Sequence, residues 1–289
     1  MNTRRLLTRL AKQHPDLREH LLRRAEYSEE QIEDQVQQAG RLDAVDPSIA
    51  EFISTSGLDD GNANDDKIPV SRGSWSAASL KPSQTTIRLP SALKLALKML
   101  DTGKVGGDLG AMISKDGHIL DGHHRWAATV LAAGSKGKVG GSRAGVNGKE
   151  LIKVLNLVSK GKFGVRNGNP GSGSIADLNP RKVASELQSY VQNGASDKYG
   201  TMSPEKVQSI LEKSFGSVEE GIQQVARNAG QMNTSVPSWA PDRKQMPVIN
   251  GPEAPEAAAM LNQGVVNWNA PHVEQRLAIR RVLARRGLV

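Results

Sequence analysis

Between residues 4 and 26 the apolar positions recur at helical spacing on either side of Pro15: Leu6, Leu7 and Leu10, then Leu17, Leu21 and Leu22. This predicts two short amphipathic helices with basic polar faces. The next forty residues reverse the sign, with Glu29, Glu30, Glu33, Asp34, Asp43, Asp46 and Glu51 nearly unopposed. They end in GLDDGNANDD at 57–66, which has almost nothing to bury and is expected to be a linker. From Lys67 the texture changes. Leu93, Leu95, Ala96, Leu97 and Leu100 form one face of a helix over Ser91 to Leu100. Leu109 to Ser114 and His118 to Leu120 flank Lys115-Asp116-Gly117, the signature of a β-hairpin. Arg125 to Ala133 predicts a helix ended by Gly134.

Residues 134–148 carry six glycines with Lys136, Lys138 and Arg143, and are expected to form a flexible surface loop. Leu151 to Leu157 fits a further strand or the start of a helix, and the Gly-, Asn- and Ser-rich stretch 161–174 a second linker. Asn179 before Pro180 and Ser203 before Pro204 are helix-start signals. Val183, Leu187 and Val191 supply the first apolar face, and Val207, Ile210 and Leu211 the second. Val218, Ile222 and Val225 fit a third helix. Pro237, Pro241, Pro247 and Pro252 mark an extended crossing, for which the run WAPDRKQMPVIN at 239–250 offers no mechanism. A last helix from about His272 carries Arg276, Arg280, Arg281, Arg285 and Arg286. The expected organisation is α+β. A helical extension (1–56) and a linker (57–66) precede a small mixed sheet-and-helix domain (67–160), followed by a second linker (161–174) and a helical region (175–289).

Composition narrows the chemistry. The chain contains no Cys, which removes disulfides, thiolate metal sites, Fe–S clusters and cysteine nucleophiles, and suits a cytoplasmic protein. No apolar run approaches the length of a membrane span, and the Arg-bearing first 26 residues have no apolar core of a signal peptide. No membrane association is expected. A net charge of +8 favours anionic partners, nucleotide or nucleic acid among them.

The run Asp121-Gly122-His123-His124-Arg125 stands where a strand hands over to a helix. Gly122 allows a backbone conformation or a close ligand approach that a side chain would block. Arg125 brings a five-donor planar fork to a helix N-terminus and is the leading candidate for a phosphate contact. Asp121 has two available jobs: capping the helix and orienting a histidine, or holding a divalent cation that bridges phosphate oxygens. Because His123 and His124 are adjacent, only one can readily enter a given pocket. His118 lies nearby, but the H-x4-H-H spacing is not that of a zinc site. Trp126 and the alanines at 127, 128, 132 and 133 fit packing of the helix onto the sheet.

The segment GHILDGHHRWAA resembles the ParB/sulfiredoxin superfamily, and its DGHHR form looks most like the nucleotide-binding and free-serine-kinase branch. LKPSQ at 80–84 is similar to the family's early motif, and the resemblance covers roughly residues 67–157. It implies a ParB/sulfiredoxin-like fold in which Gly122, His123, His124 and Arg125, with Gln84, bind the phosphates of ATP or ADP. It further implies Mg2+ on Asp121, with Asp121, His123 and His124 as catalytic groups of a phosphotransferase. Sulfiredoxin chemistry is excluded, because the family's cysteine position is taken by His123. The glutamate that such kinases use near the early motif is replaced by Ser83 and Gln84. Asp121 is therefore the best candidate base, as the carboxylate inside the signature.

Two other functions stay open. The basic turn and the basic N- and C-terminal helices fit a DNA-binding or nicking protein. The charge blocks also fit an assembly component of a phage or mobile element that keeps the fold and self-associates through oppositely charged ends.

Overall fold

A computed structural model describes residues 8, 11–13, 27–58, 64, 66–168, 173–197, 200–249 and 252–269. The helices expected within 4–26 and beyond His272 lie outside the described residues, apart from a helical stretch at 11–13. So does most of the acidic stretch 59–65. The described residues form two compact units, each discontinuous in sequence. One comprises residues 1–70, 152–167 and 247–289; the other comprises 71–151 and 168–246. Reading along the chain predicts consecutive blocks instead. The difference arises because the helices after residue 180 bury their apolar faces on the helices before residue 134.

The second unit is built on a five-stranded mixed sheet. Its strands are β1 (Val70–Ser76), β2 (Lys81–Pro82), β4 (Gly107–Ile113), β5 (His118–Asp121) and β6 (Lys138–Ala144), in the order β1-β6-β4-β5-β2. The short β3 (Thr86–Ile87) lies outside this sheet. The hairpin predicted at Lys115-Asp116-Gly117 is present. Ser114 N–H donates to His118 O at 2.9 Å, Gly117 has φ +84°, and Ile113 pairs antiparallel with Ile119. β2 runs parallel to β5, with Lys81 opposite His118 and Pro82 opposite Ile119. β6 runs parallel to β4.

That last pairing corrects the flexible loop expected at 134–148, since 138–144 is an interior strand of the sheet. Its glycines serve close approach rather than flexibility. A Cβ at Gly141 would fall on the Ala111 backbone, and one at Gly140 on the backbone of Gly107 and Asp108.

Two helices cover this sheet. α3 (Leu89–Thr102) begins with Pro90 in its first turn and ends at left-handed Gly103 (φ +68°). α4 (His123–Ala133) begins at Gly122. Leu93, Leu97, Trp126, Val130 and Leu131 are buried in one core with Ile113, Ile119 and Val139 from the strands. Trp126 anchors α4 by donating its indole N–H to Ala77 O at 2.8 Å.

The three helices predicted after residue 175 follow, the first two opened by the side chains named from sequence and the third by Ser217. In α6 (Pro180–Asn193), Asn179 accepts from Lys182 N–H at 3.0 Å. In α7 (Pro204–Phe215), Ser203 accepts from Lys206 N–H at 3.3 Å. In α8 (Val218–Ala229), Ser217 accepts from Glu220 N–H at 3.2 Å. Val183, Leu187, Val207, Ile210, Leu211, Ile222 and Val225 join the same core. Within the predicted linker, β7 (Gly173–Ser174) pairs antiparallel with β3.

The first unit is helical. It holds α1 (Glu29–Gln38), α2 (Pro47–Thr55), the C-terminal part of α5 (Gly148–Gly161) and α9 (Glu253–Gln263). α5 settles the strand-or-helix alternative at 151–157 in favour of helix. Leu42, Ala50, Ile53, Leu157, Val158 and Leu261 are fully buried. Buried polar side chains tie the loops together: Gln35 accepts from Asp46 N–H at 2.8 Å and donates to Ala44 O at 3.1 Å. Asp66, assigned from sequence to the linker, is buried and accepts from Asn269 N–H at 3.0 Å. No helix among the described residues is long and apolar enough to cross a membrane.

Candidate functional site

β5 ends at Asp121, and Gly122 turns the chain into α4 with φ +98° and ψ 17°. A side chain at that φ is strained whatever the space around it, so glycine is required by the backbone rather than by crowding. The nearest atoms to a Cβ there would be Arg125 Nη2 at 3.5 Å and Ala111 Cβ at 3.6 Å. No side chain caps this end of α4, and the first turn of a helix presents N–H groups that have no acceptor within the helix. Arg125, one turn in, reaches back to Asp121 with Nη2 2.9 Å from Oδ2. Both side chains are partly exposed, at 41% and 31%.

The two histidines are held by backbone. His123 is buried, and its Nε2 accepts from Ser83 N–H at 3.2 Å, while Ser83 Oγ lies 3.4 Å away and donates to Ile119 O at 2.7 Å. His124 Nε2 accepts from Arg88 N–H at 3.3 Å. An accepting Nε2 leaves the proton of a neutral ring on Nδ1, so both rings have the same tautomer. Burial holds the His123 pKa well below the ordinary histidine value, and the neighbouring His124 and Arg243 disfavour a further positive charge there. His123 is therefore a neutral positioning group that clamps the 83–88 segment to α4.

Asp121 is shifted the other way. Burial raises its pKa, against the opposing pull of Arg125, the Gly122 N–H and Arg243. Gln84, expected on the phosphates, is buried, and its amide nitrogen donates to Thr86 O at 2.8 Å, shaping the turn after β2. Beside the site, Asp116 accepts from Ser114 Oγ at 2.6 Å and from Gly148 N–H at 2.8 Å, and lies 3.2 Å from His118 Nδ1. The His118 ring meets Trp239 edge to face, 5.0 Å between centroids.

Trp239 and Arg243 come from the proline-rich run that carried no mechanism in the sequence. Thr85 N–H donates to Pro241 O at 3.0 Å, and Arg243 N–H donates to Thr86 Oγ1 at 3.2 Å. The run is thereby fastened to the same segment that holds the histidines. Nothing local in WAPDRKQMPVIN signals this. The one usable hint is that Arg243 lies next to a capping aspartate, which accepts from Lys244 N–H at 3.0 Å.

Among the described residues no group of three His, Asp or Glu side chains could hold a metal ion. Asp121, the carboxylate expected to carry Mg2+, is engaged by Arg125 and the Gly122 N–H and feels the positive charge of Arg243. That field repels a cation, so the residues do not fit a protein-held magnesium site. No family model, curated protein or solved structure matches the chain.

Proposed function

We propose that the β5–α4 turn binds the phosphates of a nucleotide, and that the protein transfers a phosphoryl group from ATP or ADP to a hydroxyl. The observation that carries this is the uncapped N-terminus of α4 at left-handed Gly122, with Arg125 in its first turn and a carboxylate of raised pKa immediately before it. A phosphate at this end would meet helix N–H groups and the Arg125 fork, a combination suited to bidentate anion binding.

Asp121 supplies the base. Its oxygen would take the proton of the acceptor hydroxyl as the new O–P bond forms and the bond to the leaving phosphate breaks. The raised pKa brings the carboxylate nearer to a useful proton acceptor than an ordinary aspartate. The histidines act in support, because each Nε2 is engaged by a backbone N–H.

Calorimetric titration of the full chain with ATP, ADP and CTP, with and without magnesium, tests the proposal. Saturable binding that is lost in Arg125→Ala is expected, with the variant's helical circular dichroism intact. Absence of binding by the wild type to any of the three would overturn it and turn attention to DNA.

A further inference from the structure

The segment 83–88 is gripped from two sides, and that grip sets a second arginine beside the turn. His123 and His124 take the N–H groups of Ser83 and Arg88. Between those two anchors, Thr85 and Thr86 bond to Pro241 and Arg243. The loop carrying Arg243 is itself tied down. Asp242 and Gln245 form a reciprocal cap, with Asp242 N–H donating to Gln245 Oε1 at 3.1 Å, and Gly168 N–H donates to Met246 O at 2.7 Å.

Gly168 completes the arrangement. It is buried directly against Arg243, and a Cβ there would fall on the guanidinium and on the Arg243 carbonyl. A glycine at this point lets the chain pass so close that the guanidinium is walled in on one side. A long, costly-to-order side chain held this way is pre-organised for an anion. Asp121 feels both guanidiniums, Arg125 directly and Arg243 through its charge.

We propose that Arg243 is the second cationic arm of the β5–α4 site, and that the site selects ligands bearing two adjacent phosphate groups over those bearing one. The inference rests on the phosphate site proposed above. Arg125 and the α4 N-terminus take the first phosphate, and Arg243, approaching from the 241–245 loop, takes the second. A single phosphate satisfies the first arm and leaves Arg243 to its existing neighbours. The ligand class is a pyrophosphate ester or pyrophosphate itself, the group common to nucleoside diphosphates and triphosphates.

The experiment is a calorimetric comparison of inorganic phosphate, inorganic pyrophosphate and ADP on the full chain, at constant ionic strength. The wild type is expected to prefer pyrophosphate over phosphate by about ten- to a hundredfold, the range a charge-assisted hydrogen-bonded pair supplies. Arg243→Gln is expected to remove that preference while changing phosphate affinity by about twofold or less. Arg125→Gln is expected to weaken both anions. Gly168→Ala, which keeps every charge but displaces the guanidinium, should reproduce the Arg243→Gln loss, and Arg243→Lys should restore part of it.

Two results would overturn the inference. If Arg243→Gln, with an unchanged circular dichroism spectrum, keeps the pyrophosphate preference, Arg243 is no second arm and the phosphate site survives alone. If the wild type binds neither anion nor ADP, the phosphate site itself falls and this inference with it.

Discussion

Asp121→Asn should tighten anion binding at the turn, and the structure indicates by how much. The carboxylate lies 2.9 Å from Arg125 Nη2, so an anion taken by the same guanidinium shares that cation with it. Two groups sharing one guanidinium stand ~6 Å apart, and a dianion facing a carboxylate at that distance is repelled by about 1.4 kcal/mol at a dielectric of ~80 and about 5.5 kcal/mol at ~20. Exposures of 41% and 31% for Arg125 and Asp121 make the first figure the floor, since Asp121 is buried enough for desolvation to raise its pKa. A gain of at least about tenfold in affinity follows.

Sulfate is the suitable probe, because it keeps its double charge where phosphate esters begin to protonate. Isothermal titration with sulfate at neutral pH should show the tenfold gain. The pH dependence carries a second signature. The folded pKa of Asp121 is raised, so acid neutralises the carboxylate earlier than in an ordinary aspartate, and a bound anion favours that neutralisation further. Wild-type sulfate affinity should therefore rise as pH falls toward the raised pKa, and the variant's should stay flat. The sign for folding is consistent with this. An acid whose pKa is raised in the folded state contributes stability that is lost as pH rises through that pKa, so the uncharged isostere should melt no lower than wild type at pH 7. Unchanged or weaker sulfate binding by a folded Asp121→Asn protein would show that the carboxylate does not face the anion.

Three further outcomes are expected. The depressed pKa of His123 means that the unfolded chain binds a proton near pH 6.5 that the folded chain refuses. Stability should fall below that pH, with a slope of up to about 1.4 kcal/mol per pH unit, and His123→Gln should remove this slope in urea titrations across pH 5 to 7. Trp126→Phe removes the indole N–H that Ala77 O accepts at 2.8 Å in a fully buried position. It should cost about 2–4 kcal/mol by denaturant unfolding, the sum of an unpaired carbonyl and a small cavity; a cost under about 1 kcal/mol would contradict the anchoring role. Gly141→Ala would push a methyl into the Ala111 backbone and should cost about 1–3 kcal/mol, whereas the same change in a flexible loop would be silent in a thermal melt.

Local chemistry determined much of this protein from sequence alone. The caps Asn179 and Ser203 open helices because their side chains satisfy N–H groups within three residues, and such bonds need no tertiary partner. The hairpin at Asp116-Gly117 and the turn at Gly122 are legible for the same reason, since a positive φ is a property of a single residue. Residues 121–125 could be picked out as a candidate anion site on those grounds.

What the tertiary structure decided depends on residues distant in the chain. The glycines of 138–144 are indistinguishable from those of a loop until Asp108 and Ala111 are seen against them. The histidines look like free donors until Ser83 and Arg88, about forty residues earlier, take up their Nε2 atoms. Asp121 looks like a metal ligand until its field is summed over Arg125, the Gly122 N–H and Arg243. Arg243 itself, more than a hundred residues from the turn, enters the site because the 241–245 loop bonds to Thr85 and Thr86. Periodicity and capping are encoded within a few residues of each position, whereas burial, protonation and the company a charge keeps are properties of the space around it.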